Sequence, residues 1–215
     1  MRGDKLVIKE HHLKSAKMVA EVVVPEIKKS SGRYAITIAG ESGSGKSETA
    51  ETLKQELEKH DLQAFIFQQD DYFHYPPKTN AKMREKDIKH VGTSEVKLEL
   101  LDQNIQEAIE GKDHIEKPLV YFEEDKVETE TVDLSGIKVV IAEGTYTTAL
   151  NNPHTRVFID RNYFDTKETR AERSREKQDE FLEKILRIEH EIIRAQRAKA
   201  NLIITKDYEL KNMKK

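Results

Sequence analysis

The stretch Tyr34-Ala-Ile-Thr-Ile-Ala39 runs directly into Gly40-Glu-Ser-Gly-Ser-Gly45-Lys46-Ser47, and a helix-compatible run follows to about residue 59. The first segment is apolar and β-branched enough to be a short buried strand, and the last has no breaker until its end. Between them stands the full Gly-x-x-x-x-Gly-Lys-Ser pattern, in the strand-then-helix context that gives it meaning. Glycines let a chain fold its amides inward around phosphate oxygens, and the following helix adds unpaired amides and its positive end. Residues Gly40, Glu41, Ser42, Gly43, Ser44, Gly45, Lys46, Ser47 and Glu48 are therefore the expected nucleotide cradle. Lys46 would reach the outer phosphates, and the Ser47 hydroxyl would give an oxygen to magnesium.

Outward from this loop, further strand-like runs occur at 63–67, 137–142, 156–159 and 202–205. The 137–142 run is almost wholly apolar, as in a parallel strand covered on both faces. Helical spacing separates them: Leu98, Leu101, Ile105, Ala108 and Ile109 on one stretch, Phe181, Ile185, Ile188 and Ile192 on another. Alternating strands and helices predict a three-layer α/β fold with a parallel sheet between helices. Two β-like pieces around Glu124-Asp125 predict a small antiparallel β-hairpin at about 118–132. Pro76-Pro77 and the mixed charges to about residue 92 read as a mobile loop with short helical pieces. Residues 1–32 are expected to form a helical extension, its helix at 11–28 weakened by Val22-Val23-Val24 and Pro25. The domain that holds the phosphate loop is expected over 33–207, with a lid at about 165–180 and a frayed tail at 208–215.

Composition narrows the chemistry. The 215 residues include no cysteine, which excludes thiolate metal sites and cysteine nucleophiles. With 37 basic and 40 acidic residues the net charge is -3, so nothing draws a nucleic-acid backbone or an anionic membrane to the whole surface. The longest apolar stretches, about six residues, fall far short of a membrane span. The reading is a cytoplasmic protein that holds any anionic ligand by local design.

Three features supply candidate chemistry. Asp70 and Asp71 follow the second strand, at the carboxyl edge where open sheets bind ligands. One of these carboxylates would accept a proton from an attacking hydroxyl or hold magnesium through water. Glu143 ends the buried third core strand and is placed to order magnesium-bound water beside Ser47. Arg170, Arg173 and Lys177 share one helical face, whose rigid guanidinium forks suit phosphate oxygens.

These blocks, Gly40 to Ser47, Gln69-Asp70-Asp71-Tyr72-Phe73, Val139 to Gly144 and Thr169 to Lys177, resemble the uridine kinase and phosphoribulokinase family of P-loop kinases. The resemblance implies a five-stranded parallel sheet in the order 2-3-1-4-5, with ATP and Mg2+ serving transfer to a small-molecule acceptor. It also implies Asp70 as base, Arg170 and Arg173 on the lid, and a homodimer or homotetramer. The acceptor implied first is a nucleoside such as uridine or cytidine. The alternatives are a sugar phosphate or other small hydroxylated metabolite, or a nucleotide-binding module without catalysis. The acceptor side departs from uridine kinases: Tyr121-Phe122-Glu123 is followed by Glu124, Asp125 and Lys126, with no histidine nearby. Tyr72, Tyr121 and Glu95 are the expected acceptor-binding residues, Glu95 standing where the family carries an aspartate.

Overall fold

The computed structural model describes residues 1, 6–173 and 179–213. The chain opens with α1 (Glu10–Lys29), followed by β1 (Tyr34–Gly40), α2 (Lys46–Glu58) and β2 (Ala64–Gln68). Then come α3 (Pro77–Lys86), α4 (Leu98–Ile109) and a hairpin of β3 (His114–Tyr121) and β4 (Lys126–Asp133). β5 (Val139–Gly144), β6 (Thr155–Ile159), α5 (Lys167–Arg173), α6 (Glu180–Gln196), β7 (Leu202–Ile204) and β8 (Leu210–Asn212) complete it.

Among the described residues the main sheet has six strands in the order β2-β5-β1-β6-β7-β8. The first five are parallel and keep the expected 2-3-1-4-5 order of core strands. β1 is buried along its whole length, and its alternate residues feed two different cores. Ile36 and Ile38 meet α1 and α2 on one face, while Ala35 and Ala39 meet α4 and the hairpin on the other. This is the three-layer arrangement, with the sheet's carboxyl edge left open for a site.

Three expectations need correction. The tail is not frayed through residue 212: Leu210–Asn212 pairs antiparallel with β7, making a sixth strand. A left-handed Tyr208 turns the chain back, and Thr205 N–H bonds to the Glu209 carbonyl. Exposed Lys211 on this short edge discourages further strand addition. The segment after Pro76-Pro77 is mostly helix. Pro77 occupies the first helical turn, where its missing N–H costs nothing, so the pair starts α3 instead of breaking structure. The hairpin is also longer than 118–132, because its ladder extends to His114 and Asp133.

Pro25 does not end α1, which runs to Lys29. Interior proline costs about 3 kcal/mol. Burial of Val19, Val23, Val24 and Ile27 on the sheet and α2 returns about 1.5–3 kcal/mol for each side chain, which exceeds that cost.

Candidate active site

β1 delivers the chain to the carboxyl edge of the sheet, where residues 40–45 turn into α2. Gly43 has φ +74°, and a β-carbon there would stand 2.9 Å from Arg170 Cγ. Gly45, the residue before α2, has φ +95°, and its β-carbon would stand 2.7 Å from His12 Nε2. Both positions thus demand glycine twice, by conformation and by the neighbours packed on them. The segment before α5 is tied to the loop by Thr166, whose hydroxyl donates to the Ser42 carbonyl at 2.9 Å. Arg170 donates to the Tyr163 carbonyl at 2.7 Å and to Thr166 Oγ1, which lays its side chain along the loop.

Lys46 spans the turn, donating to the Glu41 carbonyl at 3.1 Å. Glu41 is buried, with His190 Nδ1 of α6 lying 2.6 Å from Oε1. Burial pushes its carboxyl above the usual range, against the pull of His190. Ser47 Oγ donates to Glu143 Oε1 at 3.1 Å. This contact follows from register: Glu143 lies opposite Ile38 on β1 and Gln68 on β2, so the three strand ends converge. Burial first, then the Asp70 charge, push the Glu143 carboxyl up to about 7, with Lys46 opposing.

The adjacent aspartates part company because they lie in a 3-10 turn, Gln69–Tyr72, where successive side chains point about 120° apart. Asp71 is buried against the hairpin, accepting from Lys117 Nζ at 2.9 Å and Val120 N–H at 3.0 Å. The Met1 ammonium lies 3.1 Å from it as well. Lys117, itself buried, also meets Glu130 at 2.9 Å, so this cluster fastens the hairpin to the sheet. Asp70 faces the other way, into a cavity of about 330 Å³ whose walls include Lys46, Ser47, Glu143 and Arg170. No hydrogen bond reaches its carboxylate from any described residue.

The far end of that cavity is built by α3, α6 and the hairpin tip, with Phe73, Asn80, Arg84, Phe122 and Glu189 facing in. Glu95 is not on its wall. Fully buried, Glu95 accepts from Gly92 N–H at 2.8 Å, Asn80 Nδ2 at 2.8 Å and Arg84 Nη2 at 3.0 Å. It thereby orients Asn80 and Arg84, and Arg84 Nη2 reaches Glu189 at 3.0 Å as well. Tyr72 is a core residue: fully buried, it donates its hydroxyl to Asn104 Oδ1 at 2.8 Å. Tyr121 ends the β3 ladder opposite Lys126 and does not line the cavity, whereas the next residue, Phe122, does. The Arg173 side chain, Arg175 and Lys177 lie outside the described residues.

Asn80, Arg84, Phe122, Glu189 and His190 were missed from sequence. Arg84 sits in the charged run Lys82-Met-Arg-Glu-Lys86, and Glu189-His190 in another charged helix, both indistinguishable from solvated faces. His12, which packs on the cradle, looks in sequence like a surface neighbour of His11.

Residues 35–167 match the model of the Phosphoribulokinase / Uridine kinase family, more than half of the chain. The chain belongs to that family. It carries a P-loop domain of the small-molecule kinase type. A curated relative, the bifunctional alpha-galactosidase/sucrose kinase AgaSK of Mediterraneibacter gnavus, is 29% identical over 189 residues. That match covers 81% of this chain, which spans only 20% of the relative's length. Among solved structures, a protein described as a possible uridine kinase from Bacillus stearothermophilus aligns with TM-score 0.65 at 17% identity. The alignment covers 88% of this chain and 97% of that one. A D-glycerate 3-kinase from Cryptococcus neoformans var. grubii aligns with TM-score 0.60 at 12% identity, covering 92% and 99%. These likenesses establish a common fold. No described helix is long and apolar enough to cross a membrane.

Proposed function

We propose that the protein transfers a phosphoryl group from ATP to a hydroxyl of a small molecule, with Asp70 as the base. One observation carries this reading: Asp70, with no hydrogen bond from a described residue, opens on the same cavity as Lys46 and the Ser47–Glu143 pair. Asp71, by contrast, is consumed by Lys117 and the Val120 amide, so the reacting role falls to one carboxylate.

The cradle amides and Lys46 hold and orient the phosphates. Ser47 and Glu143 fit a magnesium ion, since they are hard oxygen donors already in contact, and Glu143 is a buried carboxylate crowded by a second negative charge. Such an ion, when bound, neutralises charge between the outer phosphates. Asp70 accepts the hydroxyl proton as the acceptor oxygen attacks. Arg170, folded along the loop, meets charge moving onto the leaving phosphate, and Arg173 would join it. Positioning and fixed charge supply most of the rate in such a site.

A carbohydrate acceptor is favoured by the sucrose kinase naming of the relative that aligns with most of the chain. A nucleoside is the second reading, favoured by Phe73 and Phe122 on the cavity wall, whose ring faces would suit a base. Purified protein with ATP and Mg2+ should release ADP well above the water background with at least one of sucrose, fructose, uridine or cytidine. ATP binding with no stimulation by any small hydroxylated compound would leave a nucleotide-binding module and overturn the kinase reading.

A further inference from the structure

Glu41 places an acidic side chain inside a loop expected to hold a triphosphate, where its charge would oppose the ligand. The structure shows how that charge is handled. Glu41 follows Gly40 at the end of β1, and its side chain is buried. Ser42, Gly43, Lys46 and Ser47 line the cavity, whereas Glu41 does not. Its carboxylate meets His190 of α6 instead, with Nδ1 2.6 Å from Oε1. Side-chain exposure is 8% for Glu41 and 21% for His190, so solvent screens this contact poorly. The proton between them can reside on either atom, and in both cases the carboxylate is engaged by imidazole. α6 holds the imidazole in place because Ile193, on the same helix, is buried in one core with Leu101 and Ile105 of α4. Tyr163 packs on His190 as well, edge to face, with ring centroids 5.5 Å apart. Lys46 acts on the same carboxyl, and its Nζ already donates to the Glu41 carbonyl at 3.1 Å.

We infer that His190 is a positioning residue for the nucleotide: it holds the Glu41 carboxylate away from the triphosphate and keeps Lys46 available to the outer phosphates. This role rests on the reading of the cradle given above and extends it to α6. Without the imidazole, the buried Glu41 carboxylate would keep Lys46 as a cation acting on it. Lys46 would then be drawn two ways, toward Glu41 and toward the phosphates, and the incoming anion would meet a like charge. Burial makes this costly, because removing one partner of a buried, hydrogen-bonded charge pair leaves the other uncompensated. The role is electrostatic, so it should vanish together with the charge of Glu41.

The test is titration calorimetry of Mg2+–ATP into the full chain. His190→Ala should weaken binding by at least about tenfold. The same substitution made in a Glu41→Gln background should cost less than about threefold, since no charge is left to hold. His190→Asn, whose amide can donate from near the Nδ1 position, should recover much of the affinity. If His190→Ala does not fold, His190→Leu, which keeps most of the volume, takes its place in both backgrounds with the same expectations. Parental affinity in His190→Ala would overturn the inference. An equal loss in both backgrounds would overturn it too, leaving His190 a packing residue. The kinase reading is tested apart from it, by ADP release: failure there, in a chain that shows this affinity pattern, would leave the role of His190 supported. A parent protein that binds no Mg2+–ATP would overturn both.

Discussion

The two ends of the cavity are built on different principles. At the end proposed to hold the nucleotide, the expected cradle is eight consecutive residues, Gly40 to Ser47, with one strand terminus, Glu143, beside it. At the other end, α3 and α6 each contribute several side chains and the hairpin tip contributes Phe122, while Glu95 of the turn Thr93–Glu95 supports the wall from behind. Those side chains are held by one another: Glu95 holds Arg84 and Asn80, and Arg84 holds Glu189. The donor end is therefore robust to most sequence drift outside its loop, His190 being the proposed exception, while the acceptor end can be retuned by single substitutions. A fold that phosphorylates different small molecules needs this division: one phosphate site kept constant, one acceptor wall free to change. α6 touches both ends through neighbouring residues, Glu189 at Arg84 and His190 at the cradle residue Glu41.

Substitutions can break or sharpen this contrast. The largest effect is expected at Asp70, the point where the two ends meet. Asp70→Asn should lower kcat about 10²–10⁴-fold, with ATP affinity by titration unchanged within about twofold. An equal loss of nucleotide affinity would move Asp70 to the donor side. Its neighbour should behave in the opposite way. Lys117→Met takes the buried lysine from Asp71 and Glu130, leaving Asp71 the Val120 amide and the Met1 ammonium, and should cost up to about 3–5 kcal/mol in urea unfolding, whereas Asp70→Asn should shift stability by no more than about 0.5 kcal/mol.

Glu95→Gln tests whether that residue acts through Arg84 or touches the acceptor itself. Loss of its charged hydrogen bonds should remove about 1–3 kcal/mol of stability and raise the acceptor KM together. A raised KM at unchanged stability would instead put Glu95 on the acceptor. The smallest effects belong to the tyrosines. Tyr72→Phe should cost about 1 kcal/mol through the lost bond to Asn104 and leave KM alone, and Tyr121→Phe, off the cavity wall, should leave KM alone too.

What could be read from the sequence follows the same division. The loop of residues 40–47 was legible because its chemistry is contiguous, and Glu143 because an apolar strand pins it to a sheet edge. Asp70 and Asp71 could be placed at that edge, but composition did not separate their roles. That took the hairpin, whose Lys117 reaches back 46 residues to claim Asp71. Arg84 and Glu189 are 105 residues apart and carry no local signature, so only the packing of α3 against α6 reveals them. Helix α3 was hidden because Pro76-Pro77 reads as a breaker unless one knows that Pro77 falls in a first turn. The last strand was hidden because Leu210-Lys-Asn gains its pairing from β7 and has almost no apolar character of its own. Tyr72 lies two residues from Asp70 and so looks like an acceptor contact in sequence, yet the turn that points Asp70 at the cavity sends Tyr72 into the core.

The central claim is geometric: one carboxylate, Asp70, stands between the proposed phosphate cradle and the proposed acceptor wall. A crystal structure of the protein with a non-hydrolysable ATP analogue, magnesium and the best acceptor tests it directly. The account predicts an acceptor oxygen within about 2.6–3.2 Å of an Asp70 carboxylate oxygen, in line with the terminal phosphorus. An acceptor hydroxyl held elsewhere, with Asp70 turned from it toward protein groups, would contradict the account.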